Sequence, residues 1–328
     1  MKHTYLYLIL LFAVSISTIL LTRKLIPWLS KKAKQPIYGE GPSWHMKKSG
    51  TPTMGGIGFI VPSVAFMTIL AIYLIVENKS EVGLSLLISA VFCLLNSLVG
   101  IWDDLTKIKR SENAGLTPAQ KLLLQGVLAA SFLTIHATFF GKNTRIFFSS
   151  VSIDAGIAYY PLAILFILGI INCANLTDGV DGLAGSVSFA IAVSVFLLSL
   201  GKNTDTLILS SVGIGASLGF LFFNIHPAKI FMGDTGSLFL GALCVCYAFS
   251  LNSLPAFILI GGVYVIEGIS VILQVLFFKA TGKRVFKMAP IHHHLEKCGF
   301  DESKICVYAI LATFVLSVIA SGMIGGGI

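Results

Sequence analysis

Charged residues are scarce in this sequence. Only 12% of its 328 residues are Asp, Glu, Lys or Arg, while 55% are hydrophobic. A soluble domain of ordinary composition carries about 25% charged residues. Together with a mean hydropathy of +0.89, apolar runs of about 20 residues exclude a soluble globular protein and indicate transmembrane helices. The sequence therefore predicts an all-α integral membrane protein that forms a single polytopic domain over residues 1–328.

Several common site motifs are also missing. The six cysteines include no CxxC pair, which argues against a disulfide framework or a zinc ribbon. Segment 47–56 is basic and glycine-rich but lacks the GxxxxGK(S/T) order of a P-loop, which argues against ATP hydrolysis. His292, His293 and His294 are consecutive but have neither an HExxH motif nor Cys partners, so we do not expect a zinc site.

The apolar segments predict ten membrane spans. Lys and Arg concentrate in alternate loops, around positions 31–34, 47–48, 107–110 and 279–304. By the positive-inside rule these loops are cytoplasmic and both termini are exterior. The same distribution argues against nucleic acid as a partner and suits anionic lipid or phosphate. The predicted spans are 4–26, 54–76, 83–103, 117–140, 158–175, 183–200, 206–224, 235–251, 255–279 and 304–325.

Two segments have additional features. The exterior segment 141–157 contains a run of Ile, Phe and Val from Arg145 to Ile153, which predicts a small β-hairpin. The ninth span contains three glycines and the acidic Glu267. It is long enough to bend or to protrude into the cytoplasm.

Two aspartates end the third predicted span. A charged side chain at bilayer depth costs at least ~2.5–3.5 kcal/mol, so such residues usually mark a site. Adjacent helical residues diverge by about 100°, so we expect Asp103 and Asp104 to reach one atom only if the helix has ended. Asp103 and Lys107 are four residues apart and can share a helix face. The alternative is a solvated helix end, where Lys107 interacts favourably with the helix dipole.

A second polar stretch runs from Asn172 to Gly182. Asp178 and Asp181 are three residues apart, with a glycine after each, which lets a ligand approach the backbone closely. The twelve-residue calcium loop ending in Glu is absent. A purely structural turn would need only one Asp and one Gly, so we favour a functional site.

A third polar stretch runs from Asn224 to Ser237. Asp234 precedes the eighth predicted span, where it could serve as an N-cap. Asn224, His226 and Lys229 add more polar chemistry than a cap requires. We therefore favour Asp234 as a hard oxygen ligand for Mg²⁺. In the last cytoplasmic loop, the His triplet is expected to contact phosphate or a sugar.

Taken in order, these stretches resemble those of the polyprenyl-phosphate N-acetylhexosamine-1-phosphate transferases, and more narrowly the phospho-N-acetylmuramoyl-pentapeptide transferase (MraY) family. The resemblance covers essentially the whole chain and includes the ten-span layout. The His triplet with Pro290 and Glu296 favours the muramoyl-pentapeptide branch. The matching stretches are Gly50–Gly56, Asp103-Asp104-x-x-Lys107, Asn172-x-x-Asn175-x-Thr177-Asp178-Gly-x-Asp181-Gly182, Asn224-x-x-Pro227-Ala-x-x-Phe231-Met-Gly-Asp234 and Pro290-x-His-His-His-x-Glu296.

The resemblance implies a Mg²⁺-dependent sugar-1-phosphate transferase. Its substrates would be UDP-N-acetylmuramoyl-pentapeptide and undecaprenyl phosphate, and its products lipid I and UMP. It further implies a step of peptidoglycan synthesis in the bacterial inner (cytoplasmic) membrane, carried out by a multi-pass protein that forms a homodimer.

The reaction implied by the resemblance assigns roles to the polar residues. Mg²⁺ bound by Asp234 and Asp178 would bridge the diphosphate. Lys48, Lys107 and Lys121 would bind phosphate groups of the substrates. A one-step attack assisted by Asp103 and a two-step route through phosphorylated Asp103 or Asp104 are both open. The candidate catalytic residues are Asp103, Asp104, Asp234 and His292. The candidate substrate-binding residues are Lys48, Thr53, Lys107, Lys121, Asn172, Asn175, Asp178, Asp181, Asn224, Phe231, His293 and His294.

Two alternative functions share parts of this pattern. A related enzyme would transfer GlcNAc-1-phosphate from UDP-GlcNAc to a polyprenyl phosphate, and the preferred nucleotide sugar separates the two. A secondary transporter would place its ionisable groups near the bilayer midplane in broken helices. Among the acidic residues, only Glu267 is embedded in a predicted span, whereas the aspartates of the polar stretches lie at span ends. The sequence therefore favours the transferase.

Overall fold

The computed structural model of the protein describes residues 4–33, 50–110, 115–148, 151–201 and 203–324. Within these ranges the chain is mainly helical, with one β-hairpin. The helices are α1 (Thr4–Lys32), α2 (Ile57–Val76), α3 (Ser80–Arg110), α4 (Pro118–Phe140), α5 (Tyr159–Thr177), α6 (Leu183–Leu198), α7 (Thr204–Asn224), α8 (Gly233–Ser250), α9 (Leu254–Ile260), α10 (Gly262–Thr281), α11 (Ile291–Lys297) and α12 (Glu302–Ile324); the strands are β1 (Arg145–Phe148) and β2 (Val151–Asp154).

Eight of the described helices are long and apolar enough to cross a membrane, namely α1 to α5, α7, α10 and α12. Their outer faces expose large apolar side chains such as Ile9, Ile69 and Val318. Such faces suit contact with lipid, since a soluble protein rarely exposes large contiguous apolar surface. The chain is therefore a multi-pass helical membrane protein, as the composition predicted.

Each of the ten predicted helical segments contains a helix, but three of them differ in extent. The first was expected to end at residue 26, whereas α1 continues to Lys32. The third was expected to end at residue 103, whereas α3 continues to Arg110. Lys107, Lys109 and Arg110 occupy its last turn, where basic side chains interact favourably with the helix dipole. The ninth segment is divided at Gly261 into α9 and α10.

The predicted hairpin is confirmed. β1 and β2 pair antiparallel, with Arg145 opposite Asp154 and Phe148 opposite Val151. The hairpin connects the C-terminal end of α4 to the segment before α5. It therefore lies at the opposite end of α4 from Lys121.

The centre of the bundle is α7, where 89% of the apolar stretch is buried. It packs against α1 and α6. Phe59 of α2 lies in an edge-to-face arrangement with Phe220 of α7 and Phe239 of α8, at centroid distances of 5.1 and 5.8 Å. α8 packs along both α3 and α5, and these contacts position the polar ends of the three helices.

Candidate functional site

Three carboxylates converge where the C-terminal part of α3 meets the N-terminus of α8. Asp103 and Asp104 belong to α3 and Asp234 to the first turn of α8. One oxygen of each carboxylate lies within 4.8 Å of those of the other two. The expectation that adjacent helical aspartates reach one point only after the helix has ended is wrong. Both remain inside α3, and a second helix brings Asp234 to them.

The length of α3 predicts that this carboxylate cluster lies at a boundary of the membrane. About 20 helical residues, each rising about 1.5 Å, cross a hydrocarbon layer of about 30 Å. Counted from Glu81 in the first turn of α3, such a crossing ends near Gly100. Asp103 and Asp104 follow within the next turn, so they avoid the cost of charge at the bilayer centre.

Gly100 lets α3 and α8 approach closely enough for the cluster to form. A Cβ added at Gly100 would overlap the Asp234 carbonyl group, at 2.5 Å from its carbon and 2.7 Å from the Thr235 nitrogen. Cβ atoms essentially never come within 3.0 Å of another heavy atom. The contact between the helices therefore requires glycine at this position.

Two lysines neutralise part of the cluster. Lys107 Nζ lies 2.6 Å from Asp103 Oδ2 and 3.1 Å from Asp234 Oδ2. Lys121, near the start of α4, forms an ion pair with Asp234 and lies 3.6 Å from Asp103 Oδ2. Three carboxylates and two ammonium groups leave one formal negative charge. A divalent cation would make the site positive, which is the sign that attracts a diphosphate.

Asp104 is anchored by hydrogen bonds from α8. Its Oδ2 accepts from the Thr235 N–H at 2.9 Å and from the Thr235 hydroxyl at 2.7 Å, and its Oδ1 accepts from the Asp234 N–H at 3.2 Å. It thus satisfies N–H groups that have no partner inside the helix. The alternative that Asp234 is the N-cap of this helix is wrong, since Met232 holds that position.

Asn175 holds the side chain of Asp234 from α5. Its Nδ2 donates to Asp234 Oδ1 at 2.9 Å and to Ser237 Oγ at 2.8 Å. Thr235 and Ser237 were not predicted as site residues. Their position directly after Asp234 in the third polar stretch is the sequence signal that could have identified them.

Asp178 lies beside the carboxylate cluster, immediately after α5. It is not one of the three residues whose oxygens lie within 4.8 Å of one another. Burial, followed by the negative charges of Asp234 and Asp104, raises the pKa of the Asp178 carboxyl well above its usual range. The predicted ligand pair was Asp234 with Asp178, whereas the geometry groups Asp234 with Asp103 and Asp104.

Asp181 belongs to a second group, with His226 and Glu302. Asp181 Oδ2 lies 3.1 Å from His226 Nδ1 and accepts from the Ala228 N–H at 3.0 Å. The Asp181 N–H donates to Glu302 Oε2 at 2.8 Å. These contacts connect the loop before α6, the loop before α8 and the start of α12. Glu302 was not predicted, and no motif distinguishes it in the sequence.

The His triplet lies at the start of α11, and its three imidazoles have different partners. His292 is 0% exposed, and its Nδ1 lies 3.0 Å from Glu267 Oε2 of α10. His293 Nδ1 lies 2.6 Å from Glu296 Oε2. His294 Nδ1 accepts a backbone N–H from the loop before α11. Adjacent helical residues point in different directions, so one small ligand does not engage all three in the same way.

Two predicted binding residues make structural contacts. Asn172 Nδ2 donates to Gln125 Oε1 at 2.8 Å, between α5 and α4. Asn224 is 2% exposed. Its Oδ1 accepts from the Gly182 N–H at 3.2 Å, and its Nδ2 donates to the Ile230 carbonyl at 2.9 Å. Asn224 thereby fixes the loops that carry Asp181 and Asp234.

The segment before α2 runs beside the segment before α8. The Phe231 N–H donates to the Pro52 carbonyl at 2.8 Å, and the Phe231 carbonyl accepts from the Gly55 N–H at 2.8 Å. Thr53, which is 7% exposed, lies in this pairing. Segment 50–56 is thus brought next to Asp234. Lys48 lies outside the described residues.

The donor set suits a hard divalent cation. Mg²⁺ prefers carboxylate oxygens and usually keeps waters and substrate phosphates as its remaining ligands. Asp103, Asp104 and Asp234 offer three carboxylates within reach of one ion. This group contains no Cys or His, the softer ligands that favour zinc. The residues therefore fit the cation implied by the sequence.

Comparison with known proteins shows similarity along most of the chain. Residues 84–252 match the family model "Glycosyl transferase family 4". The phospho-N-acetylmuramoyl-pentapeptide-transferase of Bacillus pumilus is 43% identical over 305 residues, which cover 92% of this chain and 93% of the relative. Proteins of the same name from Clostridium perfringens and Clostridioides difficile are 43% identical over 299 residues (90% of each chain) and 39% identical over 297 residues (89% of each chain).

Proposed function

Because the chain belongs to glycosyl transferase family 4 and to the phospho-N-acetylmuramoyl-pentapeptide-transferases, we propose that it transfers phospho-N-acetylmuramoyl-pentapeptide from its UDP conjugate to undecaprenyl phosphate. An oxygen of the lipid phosphate forms a bond to the β-phosphorus of the UDP conjugate. The bond from that phosphorus to the bridging oxygen breaks, and UMP leaves with the electron pair. The other product is lipid I, an intermediate of peptidoglycan synthesis.

The observation that carries this proposal is the meeting of Asp103, Asp104 and Asp234 with two lysines, near the end of a helix that is long enough to cross a membrane. A lipid phosphate and a soluble nucleotide can both reach such a position. Phosphoryl transfer depends on charge neutralisation and alignment more than on covalent chemistry by the protein. Carboxylates that bind a cation and lysines that bind phosphate oxygens provide both.

Asp234, Asp103 and Asp104 are the proposed ligands of Mg²⁺. When bound, Mg²⁺ would neutralise charge on the diphosphate and on the UMP leaving group. Lys107 and Lys121 already lie at the carboxylate oxygens of the cluster. They are placed to exchange part of these ion pairs for contacts with substrate phosphates.

Asp103 is also the proposed residue that orients the lipid phosphate. Its Oδ1 accepts from the Leu116 N–H at 2.8 Å, while its Oδ2 faces the two lysines. A phosphate monoester has a second pKa near ~6, so little base strength is needed to deprotonate it. The three hydrogen bonds that Asp104 accepts from α8 would be lost if Asp104 acted as a nucleophile. They support a one-step displacement over a phosphorylated Asp104.

The other predicted residues surround this centre. Asn175, Asp178 and Asp181 are proposed to line the uridine side of the pocket, and the His triplet to contact the diphosphate or the sugar. Lys48 is proposed to bind phosphate. Thr53, Asn172, Asn224 and Phe231 are proposed to act through the loops and helix contacts that shape the pocket.

The proposed orientation puts the reaction on the cytoplasmic side of a bacterial inner membrane. Ten spans with both termini exterior account for the accumulation of Lys and Arg in alternate loops. The proposed acceptor lies in the bilayer, while the proposed donor approaches from the cytoplasm. The protein is further proposed to act as a homodimer.

An assay of UMP release tests the proposal. The full-length protein should release UMP from UDP-N-acetylmuramoyl-pentapeptide only when undecaprenyl phosphate and Mg²⁺ are both present, and EDTA should stop the release. Release from UDP-GlcNAc, with none from the muramoyl-pentapeptide donor, would instead identify a GlcNAc-1-phosphate transferase. No release from either donor would contradict the transferase assignment. A phosphorylated protein trapped with the donor in the absence of lipid would overturn the one-step route.

A further inference from the structure

Glu267 is a buried acid that the proposed reaction does not use. It lies in α10, where only 3% of its surface is exposed. Its Oε2 lies 3.0 Å from His292 Nδ1 and accepts from the His292 backbone N–H at 3.3 Å. A buried carboxylate is expensive unless it is paired, and His292 provides both of these contacts.

The contact with Glu267 determines which nitrogen of His292 faces the loop between Asp178 and Asp181. When Nδ1 donates to a carboxylate, the other ring nitrogen, Nε2, points away from it. His292 Nε2 is buried and has no hydrogen-bond partner among the described residues. It lies against Gly179, because a Cβ added at Gly179 would contact it directly. This nitrogen is therefore directed at the loop between Asp178 and Asp181.

We infer that Glu267 is a positioning residue, which holds His292 so that Nε2 is presented to an anionic oxygen of the bound nucleotide diphosphate. This inference rests on the proposed function, because it takes the loop of Asp178 and Asp181 as part of the nucleotide pocket. Glu267 itself does not touch the substrate. Outer partners of this kind fix the orientation of an imidazole and the nitrogen that carries its proton.

The contact between His293 and Glu296 is local, in contrast to the contact between Glu267 and His292. His293 and Glu296 are three residues apart on α11 and interact within one turn. Glu267 is separated from His292 by 25 residues and lies on another helix. Besides Glu267, the ring of His293 lies close to that of His292, with centroids 4.2 Å apart, and Asp178 is the chain neighbour of Gly179, which the His292 ring contacts. If Glu267 served only to attach α11 to α10, its hydrogen bond to the His292 backbone N–H would suffice. The additional contact with the ring nitrogen Nδ1 would not be required.

The test compares Glu267→Gln with the wild-type protein in the UMP-release assay across pH. Glutamine keeps an acceptor oxygen but loses the charge, so kcat/KM should fall by about 10- to 100-fold. Because a charge beside the His292 ring is removed, the pH profile of kcat/KM should differ from the wild-type profile. Unchanged kcat/KM and an unchanged profile would overturn the inference. Wild-type UMP release, measured in parallel, tests the proposed function separately.

Two further variants separate positioning from a structural role. In a His292→Asn background, Glu267→Gln should change the residual rate or the affinity for UDP by less than about threefold, because the partner of Glu267 is gone. An undiminished loss in that background would show that Glu267 acts independently of His292. If Glu267→Gln does not fold, Glu267→Asp replaces it. This variant keeps the charge but shortens the side chain, so it should lower kcat and keep the wild-type pH profile, and wild-type kcat would contradict the inference.

Asp205→Asn is the matched control. Asp205 is also a partly buried acid bound by hydroxyls, those of Ser85 and Ser250. It lies in the first turn of α7, whereas Asn224 ends that helix. A helix of 21 residues is about 30 Å long, so the control is far from the loops that Asn224 holds. The control should leave both kcat/KM and the pH profile unchanged.

Discussion

Substitution of Gly100 by alanine should separate the two halves of the carboxylate cluster. The added Cβ would stand 2.5 Å from the Asp234 carbonyl carbon, whereas ordinary Cβ contacts begin at 3.4 Å. Since the opposing atoms are backbone, α3 and α8 must move apart by roughly 1 Å. A misplacement of about 1 Å costs on the order of 100-fold in rate when reacting groups must be aligned. We therefore expect kcat/KM for UMP release to fall by about 100-fold, equivalent to roughly 2.7 kcal/mol.

The matched control for this change is Gly126→Ala in α4. A Cβ added at Gly126 meets no heavy atom within 4 Å. Both substitutions improve intrinsic helix propensity by up to about 1 kcal/mol, so propensity cannot explain a difference between them. The control should retain wild-type kinetics and wild-type dependence on Mg²⁺ concentration.

The decisive measurement is UMP release at saturating lipid as a function of Mg²⁺ concentration, on detergent-purified protein that elutes as a single folded species. Gly100→Ala should require more Mg²⁺ as well as turn over more slowly, because Asp234 moves away from the α3 carboxylates. Wild-type kcat/KM and wild-type Mg²⁺ dependence in this variant would refute the reasoning that close helix packing assembles the site.

Three further substitutions test individual carboxylates. Asp234→Asn should reduce UMP release by roughly 100-fold or more without loss of folded protein, and near-normal turnover at saturating Mg²⁺ would remove its assigned role. Asp104→Asn should lower the free energy of unfolding by about 1–3 kcal/mol, because an amide leaves an α8 N–H without its acceptor; an unchanged thermal midpoint would contradict this anchoring role. Asp178→Asn should raise the thermal midpoint at pH 7, because the raised pKa of Asp178 means that folding disfavours its ionised form. That gain should shrink as the pH falls towards 3.8, the ordinary pKa, where the unfolded chain also becomes protonated, and a constant gain across this range would show that charge is not its cause.

The positions of the helices could be predicted from the sequence because hydropathy is a local property. A helix that faces lipid must be apolar along its length, so α2, α4 and α7 begin and end within a few residues of the predicted spans. The predicted end of α3 at residue 103 was wrong because hydropathy reports only the apolar part of a helix. Beyond the apolar layer a helix continues on hydrogen bonding and dipole interactions, and hydropathy does not report these.

The types of residue in the site were also readable from the sequence, but their partners were not. Asp234 was selected as a cation ligand because Asn224, His226 and Lys229 in the same stretch add more polar chemistry than an N-cap requires. Nothing in the local pattern showed that Asp103 and Asp104 would accompany it more closely than Asp178. That grouping depends on α3 packing against α8 through Gly100, a contact between residues more than 130 positions apart.

The sequence by itself determined that this chain is a multi-pass helical membrane protein with acids, lysines and histidines at the ends of its helices, since composition and spacing act within each segment. Tertiary structure alone decided that Asp104 anchors α8, that Asp181 pairs with His226 and Glu302, and that Glu267 holds His292. These pairings follow from which helix ends pack side by side, and van der Waals packing of small residues across the bundle selects them.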